Sequence, residues 1–319
     1  MTNYEWYGNN AKILEKTKHR IKIDYGCSGR GIVTCYMLSK GIQINFMDMD
    51  TPDVMPSQKF NEDIIVISFC KQGRYECEFS NSKIAYMIEN NFAINGTKYL
   101  PISFSFPLRL YKGLSLVINM RELTELEKSL LSSIGIDLKK ISRELELDRN
   151  WYVRDAFPKI QEVFFDLYEA SEKDDEAFMK IKSMELLYWI NQSFDRTEQM
   201  EAKYFDKEQI KRVKGIRDYL IEHLEEKISF KQLTKEFYIN LPTFHAIFNQ
   251  IYGDTPYSYL KKYKMNLAAQ RLLKTNRKIG EIALELGYSN ASKFTQAFES
   301  VYGTLPKDYR KKYNTNGLK

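Results

Sequence analysis

Metal binding and nucleophilic catalysis need clustered His, Cys and carboxylate side chains, and this sequence scatters them. Its three histidines are His19, His223 and His245, and its four cysteines, Cys27, Cys35, Cys70 and Cys77, include no CxxC pair. The cysteines therefore read as small buried or half-buried hydrophobes, with neither a metal nor a cofactor expected. Two helix faces set apart from the apolar core do recur at helical spacing near the C-terminus. Pro242, Ala246 and Asn249, with His245 at the border, and fifty positions later Ser292, Gln296 and Glu299, with Thr295 at the border, lie opposite apolar stripes. An amide, hydroxyls and an imidazole on such a face offer hydrogen bonds, which is a chemistry of recognition rather than of turnover.

These residues belong to an internal repeat. The stretch Asn240 to Phe248, followed by Ile251-Tyr252-Gly253, Pro256 and Tyr259, returns as Asn290 to Phe298, Val301-Tyr302-Gly303, Pro306 and Tyr309. Upstream, Leu233-Thr234 corresponds to Ile282-Ala283 at an offset of forty-nine, with a turn one residue longer in the second copy at Gly287-Tyr288-Ser289. Each copy reads as helix, short turn, helix, and a long helix over about 256–274 joins them. Phe244, Ile247, Phe248 and Ile251 form the inner stripe of the first second-helix, and Phe294, Ala297, Phe298 and Val301 that of its counterpart.

On these residues the chain resembles the AraC/XylS transcription regulators. The likeness is carried by Ile279-Gly280-Glu281-Ile282-Ala283-Leu284-Glu285-Leu286-Gly287-Tyr288-Ser289-Asn290, then Phe294, Phe298, Tyr302-Gly303, Pro306 and Tyr309-Arg310, and it covers about 208–312. It implies a seven-helix domain over 207–313 that binds double-stranded DNA through helix-turn-helix units at about 229–252 and 278–302. By position, the base-reading candidates are Pro242, Thr243, His245 and Ala246 in the first unit, and Ala291, Ser292, Lys293, Thr295 and Gln296 in the second. The resemblance also leans towards an activator, with RNA polymerase as a partner. In two departures from the pattern, Thr234 stands where a small Ala is usual, and Pro242 and Ala246 offer a base no hydrogen bond. Readout by the first unit then rests on His245 and Asn249.

Charge follows the same division. Residues 203–313 hold 21 Lys and Arg against 12 Asp and Glu, whereas residues 1–202 hold 26 against 30. A basic block of domain size beside a mildly acidic one suits a chain of which only the second part meets a polyanion. The runs Lys261-Lys262 and Arg310-Lys311-Lys312 read as diffuse attractors of phosphate. With 43% hydrophobic and 28% charged residues, no apolar run of about 18 and no signal-peptide pattern in Met1–Asn10, the expectation is a cytoplasmic protein that spans no membrane.

The front of the chain is patterned differently. Ile42–Phe46 and Tyr75–Phe79 alternate apolar with polar residues, Ile64–Cys70 is nearly continuous, and Lys71-Gln72-Gly73-Arg74 is expected to turn the chain between the last two. Further strands are expected at 32–38, 84–88, 92–95, 102–106 and 114–118, then helices at 122–133, 157–170 and 176–194. Inner stripes are expected at Ile160, Val163, Phe164, Leu167 and Tyr168, and at Phe178, Ile181, Met184, Leu187 and Tyr188; such stripes pack against their own domain or form a dimer interface. The fold class is thus α+β and multidomain: an antiparallel β-barrel of cupin or jelly-roll kind over about 21–120, helices over 121–195, a linker at 196–206, and an all-α double helix-turn-helix domain.

Residues 1–195 are expected to sense a small organic effector and to form a homodimer. The aromatic and Met-rich segments Phe46, Met47, Met49, Phe69, Tyr75, Phe104 and Phe106 are the candidates for its lining, although such residues commonly serve as core. One alternative has this domain only dimerise or bind a protein partner. Another is a metal-dependent cupin enzyme, which His19 alone, lying before the strands, does not support. The sequence-specific regulator, not an enzyme, is the reading taken forward.

Overall fold

The structure is a computed structural model that describes residues 11–57, 63–193, 204–226 and 228–313. It divides into two compact units, Met1–Asp206 and Lys207–Lys319. Met1–Asn10, residues 196–203 of the expected linker and the expected end of the third N-terminal helix, Phe194, lie outside the described residues.

The first unit begins with β1 (Lys12–Lys16), β2 (Arg20–Asp24), β3 (Arg30–Met37), β4 (Ile42–Asp50), β5 (Met55–Pro56) and β6 (Ile64–Glu78). It continues with β7 (Lys83–Ile88), β8 (Asn91–Gly96), β9 (Ser103–Ser105) and β10 (Leu110–Asn119). Then come α1 (Glu125–Ser133), α2 (Leu138–Glu144), β11 (Tyr152–Asp155), α3 (Pro158–Glu172), α4 (Glu176–Ser193) and β12 (Phe205–Asp206). All pairings are antiparallel. One layer runs β1-β2-β3-β4-β10-β6-β8-β11 and the other β12-β7-β6-β9-β5, so β6 belongs to both and makes a partly closed barrel.

That shared strand corrects the turn expected at Lys71–Arg74. β6 runs unbroken through it, pairing up to Gly73 with β10 and from Arg74 onward with β7. The chain bends there because Gly73 takes φ +88° where a Cβ would lie 2.0 Å from the Leu110 carbonyl oxygen, and β10 shifts register opposite at Lys112/Gly113. Phe205–Asp206, in the expected linker, pairs instead with Ile84 and Lys83 of β7, where Phe205 reaches the ring of Tyr86.

Alternation along the strands separates two faces. Ile42, Ile44 and Phe46 of β4, Ile65, Ile67 and Phe69 of β6, and Leu114, Leu116 and Ile118 of β10 face the helices and share one core with Ile160, Val163, Phe164 and Leu167 of α3. On α4 the buried side is Met179, Ser183, Leu186, Leu187 and Ile190; of the expected stripe Leu187 is buried and Phe178 and Met184 pack partly buried against the core, whereas Ile181 and Tyr188 are exposed, at 63% and 39%. Apolar residues surround much of this helix, so helical spacing alone admits either side.

The second unit holds α5 (Lys207–Glu222), α6 (Phe230–Glu236), α7 (Leu241–Tyr252), α8 (Pro256–Lys274), α9 (Ile279–Glu285), α10 (Ala291–Tyr302) and α11 (Pro306–Tyr313). Ile210, Val213, Ile216 and Leu220 of α5 are buried, as are Phe244, Ile247, Phe248 and Ile251 of α7. Met265, Ala268, Ala269 and Leu272 of α8 pack with Ile282, Ala283, Phe294 and Phe298 around the second repeat.

Candidate nucleic-acid interface and barrel cavity

The repeated sequence builds repeated geometry. Asn240 accepts a hydrogen bond from the Thr243 N–H at 2.8 Å, and Asn290 one from the Lys293 N–H at 2.9 Å, so each starts its second helix with the same side-chain cap. Gly253 and Gly303 end those helices in left-handed conformation, φ 81° and 67°. Pro256 and Pro306 then open the following helices. Phe248 meets Tyr252 at 4.6 Å and Tyr259 at 5.4 Å; Phe298 meets Tyr302 at 4.7 Å and Tyr309 at 5.3 Å. Two aromatic triads thus fix the two helix ends alike, at contact distances favourable for aromatic pairs.

Between the two copies of the repeat runs α8, about 28 Å long for its 19 residues. Tyr259 on its early turns touches Phe248, and Asn266 further along accepts from the Tyr302 hydroxyl at 2.9 Å. Both second helices are therefore anchored to one rigid element.

Pro242, Ala246 and Asn249 are exposed on α7, with Thr243 and His245 half-buried; His245 lies edge-on to Phe244 and Phe230. On α10, Ala291, Ser292, Lys293, Gln296 and Glu299 are exposed and Thr295 is half-buried. The apolar partners divide less sharply: Phe294 and Phe298 are fully buried, whereas Ala297 and Val301 keep partial exposure. Thr234 is buried and its hydroxyl donates to the Lys231 carbonyl at 3.3 Å, which disposes of its polar group inside the helix.

The basic runs separate into structural and surface cations. Arg310 donates to the carbonyls of Leu272 at 3.1 Å and Arg277 at 2.7 Å, tying α11 to the end of α8, which departs from its expected role as a diffuse phosphate attractor. Lys262 pairs with Asp254 at 2.8 Å, while Lys311 and Lys312 are exposed. Lys264 was not singled out by the sequence. It donates to the Leu224 carbonyl at 2.6 Å, and burial holds its ammonium below the usual lysine range.

In the first unit a cavity of about 190 Å³ opens between the sheets. Of the effector candidates, Met47, Met49, Tyr75 and Phe104 line it. Phe46 and Phe69 do not: they sit at the opposite parity, Phe69 stacked on Phe164 at 4.3 Å and Phe46 edge-on to Tyr168 at 5.3 Å. Phe106 lies behind the lining, stacked on Tyr111 at 4.8 Å.

Sequence reasoning missed Tyr111, Met87 and Trp151, which also line the cavity. For Tyr111 the signal was Gly113 two residues on, where the strand leaves room for the ring. Burial raises the Tyr75, Cys77 and Tyr111 groups well above their ordinary pKa values, and pushes Tyr25 up to about 12. Among the described residues no three His, Cys, Asp or Glu side chains converge as metal ligands would, and no helix is long and apolar enough to cross a membrane. His19 instead meets Glu176 at 3.4 Å, and His223 stacks on Tyr219.

Comparison with known proteins gives a family match within the second unit. Residues 233–312 match the family model described as "Helix-turn-helix domain". The chain is 30% identical over 109 residues to the probable transcriptional regulator LumQ of Photobacterium leiognathi, covering 32% of this chain and 44% of LumQ. It is 28% identical over 80 residues to the HTH-type transcriptional regulator ExsA of Pseudomonas aeruginosa, covering 25% and 29%. The alignments thus span less than half the length of either relative. Among solved structures, unsaturated fatty acid-bound ToxT from Vibrio cholerae aligns over 88% of this chain and 98% of its own, at 12% identity and a TM-score of 0.33.

Proposed function

The C-terminal unit of this chain is an AraC-type helix-turn-helix domain, and from that premise we propose that the protein is a sequence-specific DNA-binding transcription regulator, an activator controlled by a small organic effector in its barrel. The observation that carries this reading is the duplicated geometry: two identically capped helices with exposed outer faces and matching aromatic triads, tied to a single α8 through Tyr259 and Asn266. With both helices on one protomer, they enter successive major grooves on one side of the duplex, about 34 Å or 10 bp apart. Asn249 and His245 supply hydrogen bonds in one groove and Gln296 and Ser292 in the other, while Pro242 and Ala246 offer apolar contact to thymine methyl groups. Surface lysines such as Lys311 and Lys312, with the N–H groups at the starts of α7 and α10, hold phosphates.

The cavity lined by Met47, Met49, Tyr75 and Phe104 supports the effector half of the proposal. An effector shifts DNA affinity only through binding one state of the protein better than another. Selection of binding sites from a random duplex pool by the full-length protein tests the DNA half. Enrichment of one sequence, with affinity falling steeply as salt rises, is expected. A pool that stays random after repeated rounds contradicts sequence-specific binding.

A further inference from the structure

The two copies of the repeat are joined twice. One joint is α8, which meets the first copy at Tyr259 and the second at Asn266. The other is the end of α5. The body of that helix belongs to the first copy: Arg212 donates to the Tyr238 carbonyl at 2.7 Å and Arg217 to the Tyr259 hydroxyl at 3.1 Å. Just past its last turn, however, Leu224 packs against the core of the second copy, the cluster that includes Leu286, Phe294 and Phe298.

Lys264 ties these joints together. It stands on α8 between Tyr259 and Asn266, and its ammonium donates to the Leu224 carbonyl at 2.6 Å and lies 5.8 Å from the centroid of the Tyr288 ring. Tyr288 in turn meets Phe294, the first inward residue of α10, edge-on at 5.6 Å. The same Leu224 carbonyl is what excludes a side chain at Gly287, where a Cβ would lie 2.5 Å from its oxygen. Lys264 is half-buried, so its ammonium gives up hydration for these contacts. The corresponding turn of the first copy stands open, with Tyr238 84% exposed.

We propose that Lys264 is a positioning residue that sets the spacing between the two half-sites the chain reads. This rests on the reading of α7 and α10 as a pair entering successive major grooves, and adds which side chain fixes their separation. Helices as long as α8 are seldom straight, so α8 alone leaves the second copy free to pivot on the first. Lys264 holds the end of α5, itself fixed to the first copy, against α8 and the Tyr288 turn of the second, which turns one strut into a braced frame. The tolerance is small. One base pair added between the half-sites moves the second groove by about 3.4 Å and turns it by about 36°. With its ammonium engaged by the Leu224 carbonyl, Lys264 acts through the placement of α10 and not by touching DNA.

The test uses the full-length protein, the duplex that it selects from a random pool, and versions of that duplex with one base pair inserted or removed midway between the half-sites. The wild type is expected to bind the selected spacing about tenfold or more tightly than either altered one, because a changed spacing leaves one helix off its bases. Lys264→Met, which has nearly the same length but no donor, is expected to cut that preference to about threefold or less. Lys264→Arg keeps a donor and the charge and is expected to retain most of it; should Lys264→Met fail to fold, Lys264→Gln takes its place. A second measurement needs no DNA. In a Cys27→Ser background, nitroxides on Asn249→Cys and Glu299→Cys report the separation of α7 and α10 by double electron–electron resonance, and Lys264→Met is expected to broaden or shift that distance. A Lys264→Met protein that weakens all three duplexes by one factor, with its distance distribution unchanged, has lost only stability and overturns the spacing role. If the wild type itself ignores spacing, the paired-groove reading fails and this role fails with it, whereas a wild-type preference that Lys264→Met keeps in full overturns Lys264 alone.

Discussion

Phe298 and Gln296 are two residues apart on α10, and the docking geometry demands opposite phenotypes from them. Phe298 is fully buried, stacked on Tyr302 at 4.7 Å and edge-on to Tyr309 at 5.3 Å, with Phe294 at 6.0 Å. Phe298→Ala removes the centre of that cluster, and truncations of buried Phe cost about 3–5 kcal/mol. For a domain near 100 residues, about 4–8 °C of melting temperature per kcal/mol puts the loss between roughly 12 and 40 °C, enough to unfold the second unit in the cell. Gln296 is exposed, and Gln296→Ala should change stability by less than about 0.5 kcal/mol. It should nevertheless weaken binding to the selected site by about 1–3 kcal/mol while sparing non-specific duplex. Calorimetry of the full chain reads the first effect and mobility-shift titration on matched specific and scrambled duplexes the second. A Gln296→Ala protein that melts early, or that loses all DNA sequences equally, refutes this assignment of inner and outer faces.

The turns of the two repeats differ in backbone stress. Tyr238 is 84% exposed yet held at φ 52°, so Tyr238→Gly should raise the stability of the second unit by about 1 kcal/mol; an unchanged or lower melting temperature would count against strain there. Gly287, its counterpart, has φ +77° with the Leu224 carbonyl oxygen 2.5 Å from a would-be Cβ, so Gly287→Ala should lower the melting temperature. Tyr75 and Tyr111 are held neutral by burial well above the ordinary tyrosine pKa, so above about pH 10 the unfolded chain ionises first and stability falls as pH rises. The urea midpoint of the first unit should therefore drop between pH 9 and pH 11, and a flat midpoint would contradict their buried neutrality. Cys35, Cys70 and Cys77 are buried while Cys27 is half-exposed, so a thiol reagent at pH 8 should label Cys27 fast in the native protein, and fast labelling of all four would contradict the barrel core.

The helix-turn-helix pair was legible in the sequence because its residues are structurally expensive. Gly at a left-handed cap, Pro at a helix start and Phe in a core admit few substitutes, so their repetition stands out. The barrel gave weaker signals. Phe46 and Met47 look equally suited to a pocket, but one side of β4 is covered by α3 and the other faces the cavity, so both parities are apolar. The bend in β6 was hidden because Lys71-Gln72-Gly73-Arg74 has turn composition, whereas the neighbouring Leu110 carbonyl that requires the glycine is distant in sequence. β1 escaped notice for the opposite reason: as an edge strand with every residue exposed, it has no buried face to impose alternation.

Chemical protection footprinting of the full-length protein on its selected site asks most directly whether one chain reads two grooves. Two protected major-groove patches on one face of the duplex, centred about 10 bp apart, are expected, with Gln296→Ala erasing contacts in one patch and Asn249→Ala in the other. A single patch, two patches on opposite faces, or loss of both patches from either substitution would contradict paired recognition by α7 and α10.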